Sequence, residues 1–505
     1  MIRLKAATRK WVIVAVILLG LYVLTRLTNL TKLPIFTDEA IYIRWSQIGS
    51  RDANWRFISL TDGKQPLFTW IMMVFFRIIP GDPLVVGRLV SVCAGFLTLV
   101  GLWVLSFELF QSIPVAFFTG FLYVVSPFAL MYDRMALYDS LVTTFSVWSL
   151  YFSVLLVRRL RLDIALVLGM VLGAGMLNKT SGFISLYLLP STLLLFEGGK
   201  NPRKRLLTWV GLALISVMIS QGLYSILRLS PFFHIIRQKD AVFVYGISEW
   251  FSQPFRFLEG NLRGLFDWLW RYLTLPIFLA GTVPLVVRLR KKNGKLLLYL
   301  WWIVPFVGLA MFGRVLYPRF ILFMSIPLIL IAATSMYWIW KRVGKTVRGI
   351  ALMLLIVMPG ILTDYSIILN PRYALIPQAD KGQYVDDWPS GGGVAEVNAY
   401  LFSQSMRGKI SVYTEGTFGL LPYAVEIYLV DNTNVTIHGI WPLPKEMPLE
   451  ILKDAKTHET YVILNQTQTT PAWPMTEVAR YQKGNRQDRV LRLFRVFAPT
   501  DMTSL

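Results

Sequence analysis

The chain has a single cysteine, Cys93, so no disulfide framework can exist. It has only three histidines, His234, His438 and His458, and no pair sits at the spacing of a metal site. No glycine-rich nucleotide loop is present. Gly391-Gly392-Gly393 follows a run of prolines and reads as a linker, not a phosphate cradle. No internal repeat or low-complexity tract occurs. Charge is also scarce, at 16% of 505 residues against 55% hydrophobic. A soluble domain of this length carries more charge.

What is abundant is apolar sequence. Mean hydropathy is +0.53. Runs of spanning length recur at about 11–26, 84–107, 113–130, 140–157, 164–178, 182–196, 206–228, 273–288, 296–312, 320–340 and 347–369. A helix needs about twenty residues to cross a bilayer, so about eleven spans are expected. The first reads as a retained span, since no small-residue cleavage site follows it.

The net charge of +22 follows the same pattern. Segments 1–10, 157–163, 199–205, 288–295 and 341–348 hold 20 Lys/Arg and one acid, Asp163. Alternating the spans from a cytoplasmic N-terminus puts all five on one side, as the positive-inside rule requires. Topology and anionic headgroups explain the basicity without nucleic acid.

The other face then carries the long loops. Residues 28–83 and 229–272 mix aromatics with charge at helical spacing, which suits helices lying in the interface. After residue 370, Pro371, Pro377, Pro389 and the three glycines mark a linker. Helix-like and strand-like runs then alternate at 394–406, 409–413, 418–430, 434–438, 445–454, 460–464 and 490–497. The expected organisation is a transmembrane part, 1–370, and an extracytoplasmic α/β domain, 371–505. No catalytic motif stands out in the latter.

Polar residues gather at span ends on the outer face. Asp38-Glu39 follows the first span, and two carboxylates beside a bilayer are costly. Lys64-Gln65-Pro66 comes later in that loop, then Asp133-Arg134 with Tyr138-Asp139, then Asn178-Lys179-Thr180, then Arg314, Tyr317 and Arg319. Taken singly, such cations snorkel and such carboxylates are solvated. Taken together, Lys64, Arg134, Lys179, Arg314 and Arg319 could hold a phosphate, by fork or by point charge. Asp38 or Glu39 could then take a proton from an attacking hydroxyl or amine.

On these residues the chain resembles the membrane glycosyltransferases of the C-type fold, within them the protein O-mannosyltransferase and aminoarabinose transferase superfamily. The likeness covers about 30–340 and rests on Thr37-Asp38-Glu39, Lys64-Gln65-Pro66, Asp133-Arg134 with Asp139, and Lys179. It implies an α-helical polytopic enzyme that moves a sugar, with inversion, from a polyprenyl-phosphate donor to a protein, lipid or glycan acceptor. Asp38 would be the base, and Glu39 its support or a hold on the acceptor. Lys64 would contact the donor phosphate; Gln65 stands where the family has the first proline of a Lys-Pro-Pro-like motif. Arg134 and Asp139 would organise donor and base. Lys179 matches a lysine after the fifth span, and Arg314, Tyr317 and Arg319 match a polar motif before a late span. No cofactor is required, although some relatives bind a divalent cation through carboxylates, here Asp38, Glu39 and Asp139. A transporter or flippase of lipid-linked sugars would also place cations at the interface, but it predicts matching halves, which are absent. A non-catalytic binder would have no need of Asp38.

Overall fold

The apolar runs fold as helices because backbone groups inside a bilayer must pair within their own segment. A computed structural model describes residues 6–287, 293–344 and 346–497, with side chains over 11–285, 293–344 and 346–497. The basic segments 1–10 and 288–295 lie largely outside the described residues.

Among the described residues, six helices are long and apolar enough to span: Pro83–Phe110, Tyr138–Arg159, Pro202–Leu229, Asn293–Phe312, Pro318–Val343 and Val347–Leu369. A bent pair, Ile113–Val124 and Pro127–Asp133, makes a seventh, broken by 60°. Pro127 causes the break: it cannot donate to the preceding turn, and it drives Ser126 into extended backbone. Of the other four expected spans, the first is the 22-residue helix Ala6–Leu27, Leu275–Val287 runs up to residues that are not described, and Leu162–Asn178 and Thr180–Leu195 are shorter apolar segments. At 1.5 Å per residue, 17 residues such as Leu162–Asn178 reach about 25 Å, short of the roughly 30 Å hydrocarbon core. By length and composition alone, six helices qualify among the described residues, or seven with the bent pair, and the shorter helices complete the eleven expected apolar segments. The chain is a multi-pass integral membrane protein.

Packing separates the centre of the bundle from its rim. The apolar windows of Tyr138–Arg159 and Pro318–Val343 are 72% and 78% buried, against 28% for Pro202–Leu229 and Val347–Leu369. The first two therefore form the wall on which a site can be built, and the last two face lipid.

The 28–83 loop holds the helices Thr37–Arg51 and Leu67–Ile78, joined by short 3-10 turns. The 229–272 loop holds Ile235–Phe243, Ile247–Ser252 and most of Leu258–Leu273. In the last, Leu265, Leu269, Tyr272 and Leu273 are buried while Phe266 and Trp270 are exposed. That i, i+4, i+7, i+8 spacing is one helical face turned inward.

The C-terminal residues form a five-stranded sheet: β1 Ile410–Glu415, β2 Val435–Ile440, β3 Glu459–Leu464, β4 Met475–Lys483 and β5 Arg486–Val496, in order β2-β1-β3-β5-β4. β1 pairs in parallel with β2 and β3, while β5 runs antiparallel to β3 and to β4. β4 has no counterpart among the sequence expectations. Its burial alternates along an edge, so it carries Glu477, Arg480 and Gln482 and no apolar run. The helix Leu420–Leu429 docks on Thr37–Arg51: Arg44 meets Glu426 at 2.5 Å and Gln47 donates to the Ile427 carbonyl at 2.9 Å.

The expected linker is not a tether. Asp380, Tyr384 and Asp386 are buried. Thr37 N–H donates to the Pro389 carbonyl at 3.0 Å, and Gly391 N–H to the Ile35 carbonyl at 2.7 Å. A Cβ on Gly391 would come within 2.6 Å of that carbonyl, so glycine permits the approach.

Candidate active site

A cavity of about 860 Å³ opens where the two loops meet the central helices. Asp38, Lys64, Gln65, Asp139, Asn178, Lys179, Thr180, Asp240 and Arg319 line its polar part. Ile184, Leu188, Val304, Leu309, Phe312, Phe323 and Met324 line the rest.

Asp38 stands in the first turn of Thr37–Arg51, and its carboxylate meets the Arg319 guanidinium at 3.1 Å. Arg319 lies over the rings of Tyr317 (4.8 Å) and Phe36 (5.4 Å), and donates to the Tyr384 hydroxyl at 3.4 Å. Behind Tyr384, Tyr132 and Tyr272 both donate to the buried Asp380. The segment read as a linker thus braces Arg319 from below.

Asp139 opens the helix Tyr138–Arg159, and Lys179 follows the end of Leu162–Asn178. Lys179 Nζ lies 2.7 Å from Asp139 Oδ1 and 4.7 Å from the Phe320 ring. Lys64 follows Gly63, whose φ of +68° is the left-handed backbone that favours glycine. A Cβ on Gly63 would sit 2.8 Å from the Ile235 carbonyl, so the turn packs directly on the Ile235–Phe243 helix. The Lys64 ammonium stands over the Phe243 ring at 5.6 Å. Burial pulls its pKa down to about 8; Asp38 opposes that, and Lys179, Arg319 and Lys239 reinforce it.

Four expected site residues lie elsewhere. Glu39 is fully buried: Arg88 grips it with two bonds of 2.8 Å, and the backbone N–H groups of Phe36 and Ala136 donate at 3.0 and 2.7 Å. Arg88 also binds the carbonyls of Leu30, Leu33 and Pro34, so Glu39 bolts the loop to the bundle and cannot reach an acceptor. Neighbours on a helix point about 100° apart, which splits the acidic pair. Arg134 donates to the carbonyls of Thr25, Arg26, Thr28 and Asn29 at 2.7–3.0 Å. It caps orphan carbonyls at the end of the first helix and does not meet the cavity. Asp133 beside it pairs with Arg26 at 3.4 Å. Arg314 pairs with Glu249 near the surface. Tyr317 is a platform under Arg319 rather than a lining residue.

The carboxylates read as a cation site do not converge. Asp38, Glu39 and Asp139 each hold a different basic side chain. Among the described residues no three His, Cys, Asp or Glu gather closely enough for a metal.

Sequence reasoning missed Asp240 and the roles of Gln65 and Thr180. Gln65 Nε2 donates to Thr180 Oγ1 at 2.6 Å, and the Thr180 hydroxyl lies 3.2 and 3.1 Å from the two oxygens of Asp240. The glutamine in the proline position was the one available signal.

Comparison with known proteins agrees with this architecture. Residues 63–224 match the family model described as Dolichyl-phosphate-mannose-protein mannosyltransferase. The chain superposes on the crystal structure of ArnT from Cupriavidus metallidurans in the apo state with a TM-score of 0.60 and 14% identity, covering 97% of this chain and 98% of that one. It superposes on the same protein bound to undecaprenyl phosphate with a TM-score of 0.58 and 14% identity, over the same shares. No curated protein matches the chain by sequence. The chain shares the fold of ArnT.

Proposed function

We propose that the chain is an inverting glycosyltransferase that moves a sugar from a polyprenyl-phosphate donor to a protein, lipid or glycan acceptor at the outer face of the membrane. One observation carries this reading: a single cavity joins a carboxylate–cation cluster to a long apolar wall. A polyprenyl chain fits the apolar wall, and a phosphate fits the cations. The undecaprenyl phosphate bound by the structural relative is a molecule of that kind.

Asp38 accepts the proton as an acceptor hydroxyl or amine attacks the anomeric carbon. The bond from that carbon to the phosphate oxygen breaks, and the lipid phosphate leaves with the electron pair. Lys64, which has no ion pair among the described residues, faces the charge that develops. Lys179 adds a second cation, oriented by Asp139. Fixed charges of this kind stabilise the leaving phosphate without solvent reorganisation. Arg319 aims Asp38. Immersion of the donor tail in the apolar wall fixes the reacting carbon near the base.

The basic segments support a cytoplasmic N-terminus, and alternation through eleven spans from there would put cavity and sheet outside. A flippase reading fits less well, because the polar lining gathers at one part of the cavity rather than along a path. No divalent cation is needed, so transfer should persist in chelator. The deciding experiment uses purified protein with undecaprenyl-phosphate-linked hexose and pentose donors. Asp38→Asn should bind donor yet fail to transfer; full turnover by the variant would sink the base assignment.

A further inference from the structure

Three acidic and four basic side chains line the polar part of the cavity, and most are paired. Arg319 holds Asp38, Lys179 holds Asp139, and Lys239 holds Asp62 at 2.6 Å. Among the described residues, Lys64 is the lining cation left without an ion pair, and Asp240 is the lining carboxylate left without one.

Asp240 is nevertheless held. The side-chain hydrogen bond it accepts comes from Thr180, which Gln65 fixes in turn. A carboxylate offers about four acceptor positions, so most of Asp240's capacity remains unused. Burial pushes its pKa up, with Lys64 and Lys179 opposing. Were Asp240 merely the counter-charge of these lysines, contact would be expected, yet neither reaches ion-pair distance. A bare carboxylate beside a phosphate-binding lysine also repels the phosphate, unless a group with N–H or O–H bonds fills the gap. In a glycosyl phosphate the sugar ring hangs from the phosphate by one oxygen, so it lies within a few ångström of Lys64.

We infer that Asp240 is a recognition residue for the transferred sugar, accepting hydrogen bonds from a ring hydroxyl or amine, and that Gln65 and Thr180 position it. The inference rests on the glycosyltransferase reading above. It ties the departure at Gln65 to substrate choice: a proline there has no amide with which to hold Thr180.

The test measures binding to the full-length protein in detergent, with three probes: undecaprenyl phosphate, the same lipid carrying mannose, and the same lipid carrying glucosamine. Asp240→Ala should weaken the sugar-bearing lipids about tenfold or more, the usual scale for a hydrogen bond to a charged group. Binding of bare undecaprenyl phosphate should hold or tighten, which also shows that the variant is folded. Thr180→Val should show the same sugar-dependent loss in smaller measure, and Thr180→Ser should restore it. Asp240→Asn separates the two chemistries. A larger loss for glucosamine identifies an ammonium partner, and equal losses identify hydroxyls. Equal weakening of all three probes by Asp240→Ala, or no weakening of any, would overturn the inference. Failure of the unaltered protein to bind bare undecaprenyl phosphate would instead overturn the glycosyltransferase reading.

Discussion

The Asp38 carboxylate lies 3.1 Å from the Arg319 guanidinium and joins the 28–83 loop to the start of a central helix. The two residues are far apart in sequence, and each alone reads as an ordinary charge at a span end. Their contact fixes the position of the Asp38 carboxylate at the cavity.

Loss of this carboxylate should stop chemistry and spare binding. General-base residues contribute about 10²- to 10⁴-fold, so Asp38→Asn should lower kcat by that range. Donor affinity should change little. Parallel kcat and donor-binding measurements check the split.

Lys64 should give the enzyme an alkaline limit. With its pKa near 8, the ammonium is charged below that pH and neutral above it. The charged form binds phosphate, so donor kcat/KM should fall as pH rises through about 8. That parameter reports the free enzyme. Lys64→Arg keeps its charge at any pH, so the fall should move well upward. An unchanged profile in Lys64→Arg would remove Lys64 from donor binding.

Glu39 should matter for stability rather than turnover. Both members of the Glu39–Arg88 pair are fully buried. Removing one partner of a buried pair costs about 3–5 kcal/mol. Glu39→Gln should therefore lower Tm clearly, while protein that stays folded retains a near-normal donor KM. Thermal denaturation in detergent, set beside kinetics on the folded fraction, measures both.

Gly63→Ala should weaken donor binding without touching a charge. The alanine would carry a left-handed φ and a Cβ 2.8 Å from the Ile235 carbonyl. The turn or the Ile235–Phe243 helix must shift, and Lys64 shifts with it. A donor KM raised several-fold with kcat nearly unchanged is the expected result, read from initial rates.

The helical character of the chain was legible because hydropathy is a local property. Within the described residues each expected apolar run folds as helix, and each regular run expected after residue 393 overlaps a helix or a strand. Span number was less legible, because Pro127 breaks one helix and Leu162–Asn178 and Thr180–Leu195 are short for a crossing. Strand β4 was hidden because an edge strand with one wet face has no apolar run.

Of the expected site residues, Asp38, Lys64, Asp139, Lys179 and Arg319 meet at the cavity. Glu39 and Arg134 do not, and nothing local distinguishes them. A carboxylate at a helix start can face a cavity or a buried arginine, and the 100° step between neighbours decides which. Asp240, and the role of Thr180 beside it, were invisible for the converse reason, since the two become a unit only when the second loop folds against the turn that holds Thr180.

By itself the sequence determined that the chain enters the membrane many times, which face its charges favour, and which residue types stand at the span ends. Hydropathy and charge act residue by residue, so both are written in the order of the chain. Only the tertiary structure decided which charges are bolts and which line the cavity. An ion pair depends on a few ångström between residues tens to hundreds apart, and no pattern along the chain encodes that distance.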